Sequence, residues 1–188
     1  MRNKPLEYKS LSTAQKRVYD QISSGPRGRV GGPFPALLST PEIADRVQAL
    51  GASLRFDGKL PSHIREIAIL VTSRHWDCLA EWNAHVLIGQ AEGLDETVIE
   101  RIANDSPLPA QPPENALARD LCKELLETQF VNDDLYERAT QAFGQDGLVE
   151  LVTIVGYFAM LSMILNTYEV APESDYQNIP DHLRLPNV

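Results

Sequence analysis

Residues 65–93 read REIAILVTSRHWDCLAEWNAHVLIGQAEG, and this stretch decides the fold class. Ile67, Leu70 and Val71, with Ile64 just upstream, step by three and four. They therefore share one face of a helix that Pro61 opens. A following helix runs from about Cys78 to Ala91, and Gly93 suits a left-handed residue just past its end. No run here alternates apolar and polar residues as a half-buried strand would.

The helical text extends both ways. Upstream, Thr40 is expected to cap and Pro41 to begin a helix on which Ile43, Val47, Leu50 and Leu54 share a face. SSGPRGRVGGPFP, residues 23–35, reads as a loop or linker because its glycines and prolines support no regular element. Before it, Ser12 and Gln15 form a capping box for a short helix carrying Val18 and Ile22. Downstream come a helix over Asp95 to Ala103 and a proline-rich connection over residues 104–114. Leu117, Leu121 and Leu125 mark the next helix, and Leu135 to Phe143 another before Gly144 and Gly147 break the pattern. LVELVTIVGYFAMLSMIL, residues 148–165, approaches the ~20 residues of a membrane span. Glu150 within it and the lack of a basic flank favour a buried helix instead, and no membrane association is expected. Gly156, Ala159 and Ser162 would let another helix approach closely. The expected fold class is all-α, one domain of about seven helices. The boundaries are an N-terminal arm and linker over 1–30, a helical domain over 31–174, and an extended C-terminal tail over 175–188.

Composition narrows the function. The 188 residues hold 17 Lys and Arg against 26 Asp and Glu, a formal net charge of −9. That balance excludes a general nucleic-acid binder, which needs a basic surface, and argues against docking on anionic lipid. Two cysteines make no disulfide framework. The opening MRNKPLEYKSLS has no apolar stretch behind it, so no signal peptide and a cytoplasmic location are expected.

The residues able to do chemistry cluster in 65–93. On a helix, Cys78, Glu81 and His85 fall within an arc of roughly 60°. Glu81 and His85, four apart, can hydrogen-bond, and a carboxylate on an imidazole fixes its tautomer. Glu66 lies in an otherwise apolar stretch and needs a polar partner. If the two helices pack antiparallel, Glu66 joins Glu81 and His85 in a half-buried pocket suited to acid–base work. The plainer reading of the same spacing is a solvated Glu–His pair. Cys78 reads either as a small buried apolar group or as a nucleophile, and Cys122 as core. Trp82 is either packing or a substrate-stacking ring beside the pocket. His63, His75 and His182 have no evident partner. Glu66, Glu81, His75 and His85 could in principle hold a metal, but no zinc-site spacing is present, and neither a metal nor a cofactor is expected.

The ordered set REIAIL, Cys78, EWNAH and the glycine of QAEGL resembles the carboxymuconolactone decarboxylase-like superfamily, which includes the alkylhydroperoxidase D proteins. The similarity extends through GPFPALLSTPEIADRVQALGASLRF and LVELVTIVGYFAMLSMILNTYEV, covering roughly residues 31–174. The resemblance implies an all-helical domain that forms a homo-oligomer, commonly a trimer or hexamer. It also implies one of two chemistries. In the hydroperoxidase pattern of C-x-x-C and a following His, Cys78 matches the first Cys, His85 the His and Glu66 a preceding Glu. Glu81 occupies the second Cys position, so no adjacent thiol can resolve an oxidised Cys78. The decarboxylase branch needs no thiol pair: it removes CO₂ from a lactone carboxylic acid with a helix-borne His and carboxylates managing protons.

Three readings follow. The leading one is a cofactor-free, lyase-type enzyme acting on a small carboxylated lactone or related intermediate of aromatic catabolism. His85 serves as proton shuttle, Glu81 as its orienting partner and Glu66 as a second carboxylate, with Arg65, Arg74 and Trp82 binding substrate. The second is peroxide reduction through Cys78. The third is a non-catalytic helical oligomer that binds a small ligand.

Overall fold

The computed structural model describes residue 2 and residues 6–186, and it is all-helical over them. The capping box at Ser12 and Gln15 starts α1 (Thr13–Ser24), whose Val18 and Ile22 reach the core. The short α2 (Phe34–Leu37) leads into α3 (Pro41–Ala52), which continues as a π-helical turn over Ser53–Asp57. Two expectations fail here. The Thr40 hydroxyl does not cap α3 but donates to the Leu37 carbonyl at 3.2 Å. The inward stripe of α3 is Ala44, Val47 and Gly51, continued by Leu54, whereas Ile43 and Leu50 are 54% and 45% exposed.

The centre of the molecule is α4 (Ser62–His75), packed against α5 (Leu79–Ala91), α7 (Pro113–Thr128) and α8 (Asp133–Thr167). Every residue from Ile64 to Ser73 is buried, so the helix is surrounded rather than amphipathic. Its polar groups are answered locally: Thr72 and Ser73 donate to the Ala68 and Ile69 carbonyls at 2.7 and 2.8 Å. The small α6 (Glu96–Ala103) follows Gly93, which has the left-handed φ of 85° its position called for.

Helix α8 breaks at Gly144 (φ 72°, ψ 169°), where the glycine pattern ended one helix and began the next. By length and composition it could cross a membrane, yet it is a core helix of the fold, contributing Leu151, Ile154, Phe158 and Leu165 to the interior. Glu150 is explained by the loop before α4: it accepts the Lys59 and Leu60 amides at 2.9 and 3.3 Å. Of the three small residues, Ala159 and Ser162 face inward but Gly156 is on the outer face. The C-terminal segment is more structured than an extended tail. It makes two 3-10 turns, Ser174–Tyr176 and Asp181–Leu183, and buries Ile179, Leu183 and Leu185.

Candidate active site

Glu66 and His85 meet at the contact between α4 and α5. Gly89, one turn beyond His85, lies beside this contact: a Cβ there would meet Leu94 tightly at 3.3 Å and the Glu66 Cβ at an ordinary 3.8 Å. Glu66 Oε2 sits 2.6 Å from His85 Nδ1, with both side chains almost wholly buried. The second ring nitrogen, Nε2, lies 3.4 Å from Glu81 Oε2. All three residues therefore converge, but the carboxylates exchange the roles expected from sequence. The helix-spaced Glu81 is the looser neighbour, and Glu66 from the next helix orients the ring. The Phe158 ring fixes the imidazole from the side, edge-on at 5.1 Å between centroids.

Burial works against charge on His85. The charge and hydrogen bond of Glu66, reinforced by Glu81, overcome it and raise the imidazole pKa to about 9. At neutral pH the ring is an imidazolium with Nδ1–H donated to Glu66. Its Nε2–H then points toward Glu81.

That side of the ring lines a cavity of about 230 Å³. Glu81, Ala84 and Ile88 of α5 form one wall, and Tyr157, Phe158 and Leu161 of α8 another. Its rim comes from three places the sequence reading left out: the loop with Arg27 and Arg29, the π-helical turn with Arg55, and the C-terminal segment with Glu173. Arg29 bridges the chain termini, pairing with Glu173 at 2.7 Å and Asp175 at 3.0 Å. Glu173 also accepts the Gly32 amide at 2.8 Å. Residues 23–35 are thus a wall of the site rather than a linker.

The remaining sequence candidates lie elsewhere. Arg65 points to Glu92, at 3.0 Å, and contacts Glu66 at 3.6 Å from behind, outside the cavity. Arg74 serves the Ala103 carbonyl and Asp77 at the far end of α4. Trp82 is fully buried and donates its indole N–H to the Leu183 carbonyl at 2.8 Å, which ties down the C-terminal segment. His75 meets Trp76 edge to face and does not join the triad. His182 faces Glu96 at 3.5 Å, and His63 lines a separate groove beside Pro61.

Cys78 caps the start of α5 and is wholly buried, outside the cavity lining. Burial raises its pKa to about 11; the Glu81 and Ala80 amides and the Ser162 hydroxyl pull the other way but do not overcome it. Cys122 is also buried, and desolvation pushes its thiol up to about 12.

No family model matches the sequence, and no curated protein does. A solved structure does match. The crystal structure of an alkylhydroperoxidase AhpD core from Ralstonia eutropha, described as an uncharacterized peroxidase-related protein, superposes with a TM-score of 0.75. The two share 20% sequence identity over 93% of each chain. The chain has the alkylhydroperoxidase D fold. On this fold the Glu66–His85 pair joins α4 to α5 beside the cavity, and His85 and Glu81 both line it.

Proposed function

We propose that this protein is a cofactor-free acid–base enzyme in which His85 delivers a proton to a small anionic substrate. The observation that carries this reading is the buried imidazolium, clamped through Nδ1 by Glu66 with Nε2 turned to a cavity. A proton donor needs a fixed direction and a reason to be protonated at neutral pH, and Glu66 supplies both. The cavity is smaller than the ~300 Å³ at which drug-sized sites begin, so the substrate is a small metabolite.

A carboxylated lactone fits the chemistry. Where the carboxylate stands on the carbon next to the lactone carbonyl, the C–C bond to it breaks, CO₂ leaves, and the electron pair passes into that carbonyl as an enolate. The proton on His85 Nε2 then closes a C–H bond at the vacated carbon. Glu66 stabilises the imidazolium beforehand and keeps Nδ1–H throughout, while Glu81 can relay a replacement proton to Nε2. The test is CO₂ release from a panel of carboxylated lactones by wild type and His85→Gln. The variant should fold normally and lose at least about tenfold in rate. Undiminished turnover by H85Q would exclude the role.

The description of the structural neighbour as peroxidase-related supports a second reading, peroxide reduction at Cys78. Its burial and raised pKa oppose this. Hydroperoxide consumption that disappears in Cys78→Ser would establish it.

The protein is further proposed to self-associate. Val149, Val152 and Met163 of α8 are exposed apolar side chains in line with Gly156. Light scattering should find a multiple of 20.9 kDa, and a monomer would refute the association.

A further inference from the structure

We propose that Arg27 and Arg55 form the anion subsite of the cavity, gripping a carboxylate that remains on the substrate while His85 acts on another part of it. This rests on the acid–base reading for its orientation, but the binding site itself stands on separate observations.

The first is an unanswered cation. Arg27 Nε and Nη2 are buried and have no hydrogen-bond partner among the described residues. No carboxylate among those residues forms an ion pair with Arg27 or Arg55, whereas Arg29 between them has two. Arg27 is half-buried, and guanidinium nitrogens taken out of water without an acceptor are costly, so the arrangement calls for one from outside the chain.

The second is that the Arg27 position is built. Its guanidinium lies over the Phe34 ring, 4.9 Å from the centroid. Its far side fits against Gly51, where a Cβ would run into both Arg27 Nη2 and the Tyr157 hydroxyl. That hydroxyl is held in turn by donating to the Val47 carbonyl at 3.0 Å. Glycine at 51 therefore makes room for the arginine. Burial lowers the Arg27 pKa; the neighbouring Tyr157 and, more weakly, the Glu81 charge oppose this, and the Arg55 charge adds to it. An arriving anion would relieve both penalties. Arg55 is presented by the π-helical turn, a local geometry often found at functional sites.

The third is the surrounding chemistry. Ile88, Leu161 and Leu165 give the cavity an apolar body, and Glu81 and Glu173 also line it. These carboxylates tolerate a singly charged group between two guanidinia better than a phosphate dianion. A planar carboxylate also matches the guanidinium fork.

The test uses benzoate as a flat carboxylate probe, benzamide as its neutral counterpart and inorganic phosphate as the competing anion class. Calorimetric titration of wild type should show benzoate binding more tightly than either. Arg27→Gln and Arg55→Gln should each weaken benzoate by at least about tenfold, as expected for loss of a charge-assisted pair. Arg138→Gln on the outer face of α8 should leave it unchanged. Should R27Q fail to fold, phenylglyoxal labelling of wild type gives the same answer: benzoate should protect Arg27 and Arg55. Absent benzoate binding, equal binding of benzamide or phosphate, or benzoate binding unchanged in both variants would overturn the proposal. H85Q separates the two ideas: if it binds benzoate normally yet turns over at the wild-type rate, the acid–base reading falls and the subsite stands.

Discussion

Glu66→Gln is the sharpest probe of the buried pair, because it removes one charge and almost no volume. In wild type His85 titrates near 9, against an ordinary value of 6.5. At 1.36 kcal/mol per unit, the difference is about 3 kcal/mol of interaction favouring the protonated ring. Burial alone drives the pKa down; Glu66 is the larger of the two carboxylate influences that reverse it. The glutamine carbonyl can still accept Nδ1–H, so the ring keeps its orientation while losing its reason to be charged. In E66Q the His85 pKa should return to its ordinary value or below.

The sign of the pH dependence follows from linkage. A histidine raised in the folded state contributes stability that is fully present below its unfolded pKa of 6.5 and is lost as pH rises through 9. Between these limits the folded protein holds a proton that the unfolded chain has released. Wild-type stability should therefore fall by about 2 kcal/mol between pH 7 and pH 8.5, a slope close to 1.36 kcal/mol per unit. Urea denaturation followed by circular dichroism measures this directly. The window ends just below 9.0, the ordinary thiol value above which the unfolded chain would release protons that the two buried thiols, raised to about 11 and 12, retain. E66Q should show a nearly flat profile over the same interval. A flat wild-type profile, or an E66Q slope equal to that of wild type, would refute the assignment of a Glu66-stabilised imidazolium.

Other perturbations read other parts of the structure. Native Cys78 should react with Ellman's reagent about a hundredfold more slowly at pH 8 than a free thiol, since raising its pKa from 9.0 to about 11 removes most of the thiolate; reactivity should recover in urea. Trp82→Phe removes the indole bond to the Leu183 carbonyl, and limited proteolysis should then cut the segment after residue 172 sooner than in wild type. Gly144→Ala forces a side chain into a conformation that is essentially reserved for glycine. It also places a Cβ 2.9 Å from Asp146 Oδ1, so a loss of about 2 kcal/mol is expected in thermal or urea melts.

Helical periodicity carried the fold a long way because helices report their buried faces locally. The capping box, the left-handed Gly93 and the break at Gly144 each depend on a few adjacent residues. The exceptions depend on neighbours far along the chain. Ile43 and Leu50 share the spacing of Val47, yet only the side of α3 carrying Ala44 and Gly51 is covered. The same division holds at the site. Glu66, Glu81 and His85 could be found because two of them share one helix and the third is a carboxylate stranded in apolar text. Arg65 and Arg74 are the arginines nearest the triad in sequence, but neither lines the cavity. A helix turns about 100° per residue, so Arg65 faces away from the side on which Glu66 meets His85. The arginines that line the cavity come from a glycine-rich loop and a π-helical turn, and only tertiary packing brings those segments to α5. A pair of arginines spaced among glycines, GPRGR, was the available signal.

The charges around the cavity constrain which part of a substrate can leave. Arg29 is matched by Glu173 and Asp175, and His85 by Glu66 and, less closely, Glu81, so Arg27 and Arg55 are the cations of the lining left without an ion-paired carboxylate among the described residues. Suppose the arginines held the departing carboxylate. Its charge would vanish as CO₂ formed, and a charge-assisted pair of about 1.5–3 kcal/mol would be lost in the transition state. That would slow the step by about tenfold to a hundredfold, so this placement opposes catalysis. Held instead on a carboxylate that persists, the arginines bind ground state and transition state alike and simply set position. The departing group then lies toward Glu81, whose negative charge disfavours it before reaction and ceases to do so once CO₂ is neutral. The negative charge that appears on the substrate is met by the His85 imidazolium. In the acid–base reading, the two carboxylates therefore differ in purpose: Glu66 orients His85 and does most to keep its proton, and Glu81, its weaker partner, also makes the starting state less comfortable than the product.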